Sequence, residues 1–211
     1  MEDCKRCFWL HFHGKKRPSG IFPSLPSGMD LILKKHFDKF MDKGQLPPEL
    51  KENKECKGMK LFDDKELLEI WRNNRKGISW QDENGNILQG AVDNILVKGK
   101  KLIILDYKTR GFPLKEDTAA HYQNQLDLYN FLLRKNGYDT EDFSFLLFYV
   151  PKEVKETGEV IFNTELVKMK INIKDAEKIL EKALDILNKP CPCRHAEDEG
   201  VCPWCELLAE E

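Results

Sequence analysis

No apolar run in these 211 residues approaches the roughly 20 residues that a helix needs to cross a bilayer. The opening stretch, Met1-Glu2-Asp3-Cys4-Lys5-Arg6-Cys7, lacks the apolar centre of a secretory leader. These absences point to a cytoplasmic protein with no membrane partner. Charge of one sign is missing too, since the net charge is -2 and the pI is near 6.3. A polyanion would therefore have to meet a local basic patch, not bulk charge. Internal repeats, low-complexity segments, helicase motifs and base-reading modules are all absent from the sequence. With 41% hydrophobic and 33% charged residues, the composition suits one α/β domain with a real core.

What the chain has in excess is cysteine. There are seven, and six are clustered: Cys4 and Cys7 near one end, Cys191, Cys193, Cys202 and Cys205 near the other. Cys56 stands apart and reads as a lone thiol. In a reducing compartment, clustered cysteines suggest metal ligation before disulfides. The two C-x-x-C pairs, Cys4/Cys7 and Cys202/Cys205, can close a four-thiolate site. Those ligands suit a [4Fe–4S] cluster or, alternatively, a structural Zn²⁺. The paired set is preferred, with Cys191 and Cys193 as alternatives and His195 as a substitute. Unligated reduced thiols are the plain alternative. Either metal would tie the two termini together, with Phe8 and Trp9 packed around it.

Ser27 is expected to cap a helix running to about Lys43, which Gly44 ends. Residues 45–62 read as irregular, and the stretch 45–85 as an insertion. Asp63-Asp64 should start a short helix through Trp71. Strands are expected at Ile78–Gln81 and Ile87–Val97, separated by the turn residues Glu83-Asn84-Gly85-Asn86. A third strand should follow at Lys101–Thr109. Asp117 or Thr118 should cap a helix to Lys135, stopped by Asn136-Gly137. Phe143–Val150 reads as a buried central strand, Val160–Ile173 as an outer strand and Lys174–Asn188 as an amphipathic helix. Together these elements give a mixed β-sheet flanked by helices. A single domain is expected over residues 1–211, with cysteine-bearing termini at 1–26 and 189–211.

The run from Gly90 to Arg110 carries the chemistry. It places Asp93 on one apolar run and Asp106-Tyr107-Lys108 at the end of the next, with a turn at Gly99-Lys100-Lys101. Such a hairpin can bring Asp93 close to Asp106 and Lys108. An Asp inside so apolar a run is costly unless it is paired or metal-bound. Asp93 and Asp106 are therefore candidate ligands of Mg²⁺ or Mn²⁺, and the Tyr107 carbonyl can join them. Lys108 projects to the same side as Asp106 and can orient a water or stabilise phosphate charge. These are the parts that phosphodiester hydrolysis needs. The plain alternative is a solvated hairpin end with an Asp–Lys pair. On the next helix Gln125 and Tyr129 share a face, and His121 extends it by a turn.

Gly90-Ala91-Val92-Asp93, then Asp106-Tyr107-Lys108, then Gln125-Leu126-Asp127-Leu128-Tyr129, in that order and spacing, resemble the RecB-like branch of the PD-(D/E)XK nuclease superfamily. The resemblance spans roughly Ser27 to Ile173 and is strongest over residues 90–129. It implies a restriction-endonuclease-like fold and metal binding by Asp93 and Asp106. It also implies a catalytic Lys108, and a Q-x-x-x-Y pair, Gln125 and Tyr129, that contacts DNA. The terminal cysteines are similar to those of the iron–sulfur subset, which includes the CRISPR-associated RecB-like exonucleases and AddB-type nuclease domains. That subset's pattern takes one cysteine from the N-terminal side and three from the tail. The implied activity is an exonuclease acting on DNA that is single-stranded or has free ends, in repair, recombination or CRISPR adaptation. A helicase or another repair or CRISPR protein would be its partner.

Two features depart from that pattern. Where the family has a His on its first helix, this chain has Asp30, a residue that can still ligate a hard cation; His36 is a second candidate. The stretch 45–85 exceeds the compact family core and would cover or extend the DNA groove. Arg110 and Lys15-Lys16-Arg17 are the favoured phosphate contacts, while Lys98, Lys100 and Lys101 read as a solvated turn. The alternative function is a non-catalytic cysteine-metal DNA-binding or adaptor module that retains the fold.

Overall fold

The computed structural model describes residues 4–17, 20, 23–192 and 202. They belong to two compact units: Pro23–Ala176, and a smaller one made of the two terminal segments, up to Phe22 and from Glu177 onward.

The larger unit is built on a five-stranded mixed sheet in the order β1-β4-β5-β6-β7. Its strands are β1 Lys60–Leu61, β4 Asn94–Lys98, β5 Lys101–Thr109, β6 Phe143–Val154 and β7 Val160–Lys170. β4 and β5 form an antiparallel hairpin that turns at Gly99, a glycine with φ of +61°. β5 runs parallel to β6, and β6 antiparallel to β7. A separate two-stranded ribbon pairs β2 Ile78–Gln81 with β3 Ile87–Gly90.

Alternation along β5 sends its side chains to two cores. Ile103, Leu105 and Tyr107 join α2 (Ser24–Met41) through Leu33, Phe37 and Met41. Leu102 and Ile104 join α5 (Gln123–Lys135) through Leu126, Leu132 and Leu133. Asp106 and Lys108 carry the α5-side register to the end of the strand. A strand buried on both faces requires this near-continuous apolar composition.

Several sequence expectations change. The run expected as one strand, Ile87–Val97, is broken at residues 91–93, so β3 enters the ribbon and β4 the main sheet. Asp93 therefore lies in the break and not on a strand. α2 starts at Ser24 after Pro23, so Ser27 is not its cap. The helix expected from Asp117 or Thr118 begins instead as a 3-10 turn, Ala119–Tyr122, before α5. Residues 45–62 are not irregular: they hold α3 (Pro48–Lys51), a 3-10 turn at Lys54–Cys56 and β1. Leu50, Cys56, Leu61 and Leu68 from the stretch 45–85 are core residues. Burial pushes the Cys56 thiol up to about 11, which suits an inert core thiol. α4, Lys65–Arg72, is capped by Asp64, whose side chain accepts from Leu67 N.

In the smaller unit, α1 (Lys5–Phe12) is capped by Cys4. Trp9 donates from Nε1 to Lys189 O at 2.9 Å and stacks on His13 at 3.5 Å. α6, Ile173–Leu187, begins in the larger unit and continues into this one.

Candidate functional site

The break between β3 and β4 is held in place by α4. Val92 N donates to Trp71 O at 3.1 Å. Arg72 Nε donates to Asp93 O at 2.8 Å. The guanidinium is itself buried and pairs with Asp38 at 2.8 Å, which offsets the cost of burying its charge. Asn94 Nδ2 donates to Tyr107 Oη at 2.7 Å. With its backbone fixed, Asp93 accepts through Oδ2 from Tyr107 N at 2.9 Å. Its carboxylate thus lies beside β5, one step beyond the last β4–β5 pair, Asn94 with Leu105.

Asp106 is 2% exposed. Its Oδ1 accepts from Gln125 Nε2 at 3.2 Å, and the Lys108 ammonium contacts Oδ2 as an ion pair. Oδ2 has no further hydrogen-bond partner among the described residues. Gln125 links the group together: its Nε2 also donates to Tyr129 Oη at 2.9 Å, and its Oε1 accepts from Lys108 Nζ at 3.3 Å. Lys108 Nζ also sits 4.6 Å from the centre of the Tyr122 ring, a favourable place for a cation. Gly90 makes room for Tyr129, because a Cβ there would lie 2.7 Å from Tyr129 Cε1.

From the other helix, Lys34 Nζ reaches Asp30 Oδ2 at 2.8 Å and Asp93 Oδ1 at 3.2 Å. The site therefore gathers the carboxylates of Asp30, Asp93 and Asp106 with the ammonium groups of Lys34 and Lys108. Burial, and then the neighbouring Asp93 charge, raise Asp106 to about 6, against the lowering pull of Lys108 and Lys34. Burial opposes the charge on Lys34, but Asp93 and Asp30 outweigh it and its pKa rises. Burial also raises Tyr129 to about 12, so its hydroxyl stays neutral. A buried carboxylate with two further carboxylates nearby, and no soft ligand beside them among the described residues, suits a hard divalent cation.

Every residue of the expected site among Asp30, Asp93, Asp106, Lys108, Gln125 and Tyr129 is drawn into this group. His36 is not: its Nε2 pairs with Glu49 at 3.0 Å, and Tyr149 Oη donates to the same carboxylate at 3.0 Å. His121 is 71% exposed and faces Asp117. Arg110 follows β5, its N–H bound to Tyr149 O at 3.0 Å. The sequence reading missed Lys34 and Arg72. Lys34 carried a faint signal, its position four residues after Asp30 on one helix face; Arg72 carried none.

The cysteines meet in the smaller unit. The Sγ atoms of Cys4, Cys7 and Cys202 all lie within 4.8 Å of one another, and those of Cys7 and Cys202 are 3.6 Å apart. Cys7 N donates to Cys4 Sγ at 3.4 Å. Arg17, expected as a phosphate contact, instead points Nη2 at Cys202 Sγ, 3.6 Å away. A hydrogen bond to Cys7 leads in raising its pKa, and the charges of Cys7, Cys202 and Cys4 add to it. Arg6 Nη1 donates to Cys191 Sγ at 3.3 Å and to Pro192 O at 3.0 Å. Three converging thiols beside a guanidinium fit a thiophilic metal held by anionic sulfur. Cys193, His195 and Cys205 lie outside the described residues.

A family model of the PD-(D/E)XK nuclease superfamily matches residues 31–209. The match takes in Lys34, Asp93, Asp106, Lys108, Gln125 and Tyr129 and the C-terminal cysteines; Asp30 lies one residue before it. No curated protein matches the chain.

Proposed function

The chain belongs to the PD-(D/E)XK nuclease superfamily, and from that premise we propose that it is a metal-dependent deoxyribonuclease of the RecB-like branch, an exonuclease acting on DNA with free ends. The observation that carries this reading is the linked group of Asp106, Lys108, Gln125 and Tyr129, with Asp93 held beside it by the Tyr107 N–H.

In this reading Asp93 and Asp106, with Asp30, hold Mg²⁺ or Mn²⁺. The bound cation supplies Lewis acidity toward the attacking water and the scissile phosphate. Lys108 places a positive charge beside that oxygen cluster and orients the water for in-line attack. Gln125 sets the rotamers of Asp106 and Lys108 together, since its amide spans both. Tyr129, neutral and half-buried against Gly90, fixes the Gln125 amide and offers a hydroxyl toward the substrate backbone. Arg110 supplies a phosphate contact just beyond β5. Cys4, Cys7, Cys202 and Cys205 hold a structural [4Fe–4S] cluster, with Zn²⁺ as the alternative. The protein works in DNA repair, recombination or CRISPR adaptation, beside a helicase or another protein of those systems.

The test is degradation of end-labelled single- and double-stranded DNA with Mg²⁺, Mn²⁺ or EDTA, by wild type, Asp106→Ala and Lys108→Ala. Metal-dependent cleavage should fall by about 10³-fold or more in both variants, and shortening from labelled ends should show the exonuclease mode. DNA binding without cleavage by wild type would favour a non-catalytic binding module instead. Anaerobic purification separates the cysteine-site metals: a brown protein indicates the cluster, a colourless one with bound zinc the alternative.

A further inference from the structure

Lys34 is the one ammonium at the site that the D-x-K and Q-x-x-x-Y elements do not supply. It projects from α2, one helical turn after Asp30, and its Nζ lies 2.8 Å from Asp30 and 3.2 Å from Asp93. Its side chain is 19% exposed and that of Asp93 20%, so water screens their contact weakly, while Asp30 is more open at 42%. Lys108 is engaged elsewhere, by Asp106 and Gln125. Lys34 therefore neutralises the part of the carboxylate cluster that Lys108 does not touch.

We infer that Lys34 is a positioning residue that bridges Asp30 and Asp93 and sets how tightly the site takes a divalent cation. The inference rests on the reading that Asp30, Asp93 and Asp106 form the metal site. Carboxylates brought together repel, and a positive charge between two of them relieves that repulsion without an ion. It also ties α2 to the break before β4, so both ligands stay in place. A dication entering the cluster must share the carboxylates with this ammonium or displace it, and each positive charge already present weakens the next. One side chain thus stabilises the metal-free protein and lowers its metal affinity. A lysine with a structural role alone would do only the first.

The experiment measures Mn²⁺ binding by calorimetry, and melting temperature in EDTA and in saturating Mn²⁺, on the full chain. Lys34→Met keeps the length and removes the charge; Lys34→Gln is a second neutral variant should the first not fold; Lys34→Arg keeps the charge. The neutral variants should bind Mn²⁺ about tenfold more tightly. They should melt lower in EDTA and gain more melting temperature from Mn²⁺ than wild type does. Lys34→Arg should stay near wild type in all three. Unchanged or weaker Mn²⁺ binding in the neutral variants overturns the inference alone, provided that wild type binds Mn²⁺ and Asp106→Asn abolishes it. Wild type that binds no Mn²⁺, or binds it equally well with Asp106→Asn, removes the metal reading and this inference with it.

Discussion

Asp106 and Cys202 each sit among three candidate ligands, but the chain assembles the two groups by different means. The carboxylates are placed by the core. Asp106 extends a strand buried on both faces, Asp93 is pinned by Arg72 and Tyr107, and Asp30 is tied in by Lys34. Two lysines already balance much of the negative charge, so the arrangement stands without an ion. The thiols come from chain ends: Cys7 and Cys202 are 195 residues apart in sequence. Among the described residues, their apolar cluster is Cys4 and Cys7 with Cys202 packed against them. Ordinary hydrogen bonds also join the two segments, from Trp9 to Lys189 O and from Arg6 to Pro192 O. The comparison teaches that the oxygen ligands are placed by a packed core, whereas the thiols are gathered from far apart in the chain, where a bound metal would add the most stability.

The sharpest way to break that contrast is to remove one thiol. Cys202→Ser should abolish metal retention in the terminal unit and forfeit metal-coupled folding energy on the order of 10 kcal/mol. Limited proteolysis should then cut the terminal segments while Mn²⁺ binding at the carboxylates persists. Terminal segments that stay protease-resistant after loss of the metal would place both clusters in the same class.

Arg72→Ala tests whether the carboxylate group really is set by the core. It removes the partner of Asp38, which is 33% exposed, and frees the Asp93 carbonyl, at a cost of about 1–3 kcal/mol. Denaturant melts should show this, together with weakened Mn²⁺ binding, although residue 72 contributes no ligand. Full affinity in a destabilised variant would separate Asp93 placement from α4.

A smaller effect should appear with pH. Asp106 rises from the ordinary 3.8 to about 6, chiefly through burial. A carboxyl whose pKa is higher in the folded than in the unfolded state holds its proton better when folded. Its contribution is therefore full below pH about 4 and is lost as pH rises through about 6. In EDTA, wild type should lose about 1–3 kcal/mol relative to Asp106→Asn across that window. Parallel stability curves for the two proteins would mean that the lysines already neutralise Asp106 fully.

The smallest change concerns the fit between ribbon and helix. Gly90→Ala places a methyl against the Tyr129 ring and should cost about 1–3 kcal/mol in thermal or denaturant melts. It should also weaken DNA binding through displacement of the Gln125–Tyr129 pair. Unchanged DNA affinity would dissociate Tyr129 from the substrate.

Legibility followed the range of the interactions. β5 was readable residue for residue, Lys101 to Thr109, because an uninterrupted apolar run between a glycine turn and a charged end has one reading as a buried strand. The break at Asp93 was not readable: Ala91-Val92-Asp93-Asn94-Ile95-Leu96-Val97 looks continuous, and only the bonds from Trp71 and Arg72 divide it. The stretch 45–62 looked irregular because its prolines and charges mask the isolated apolar residues, Leu50 and Leu61, that the sheet and α2 enclose. Lys34 and Arg72 were not singled out in the sequence, and Arg17 looked like a phosphate contact.

By itself, then, the sequence determined the order and type of the main elements, the candidate acids at Asp93 and Asp106, the lysine at 108, the Gln125–Tyr129 face and the grouping of Cys4, Cys7 and Cys202. These follow from local periodicity and residue chemistry, which act over a few positions. Tertiary structure alone decided that Asp93 leaves its strand, that Arg72 holds it there, that Lys34 joins Asp30 to it, and that Arg17 turns to sulfur. Those outcomes depend on which charges the fold withdraws from water, because a buried ion takes whatever opposite charge or dipole the packed chain brings within reach.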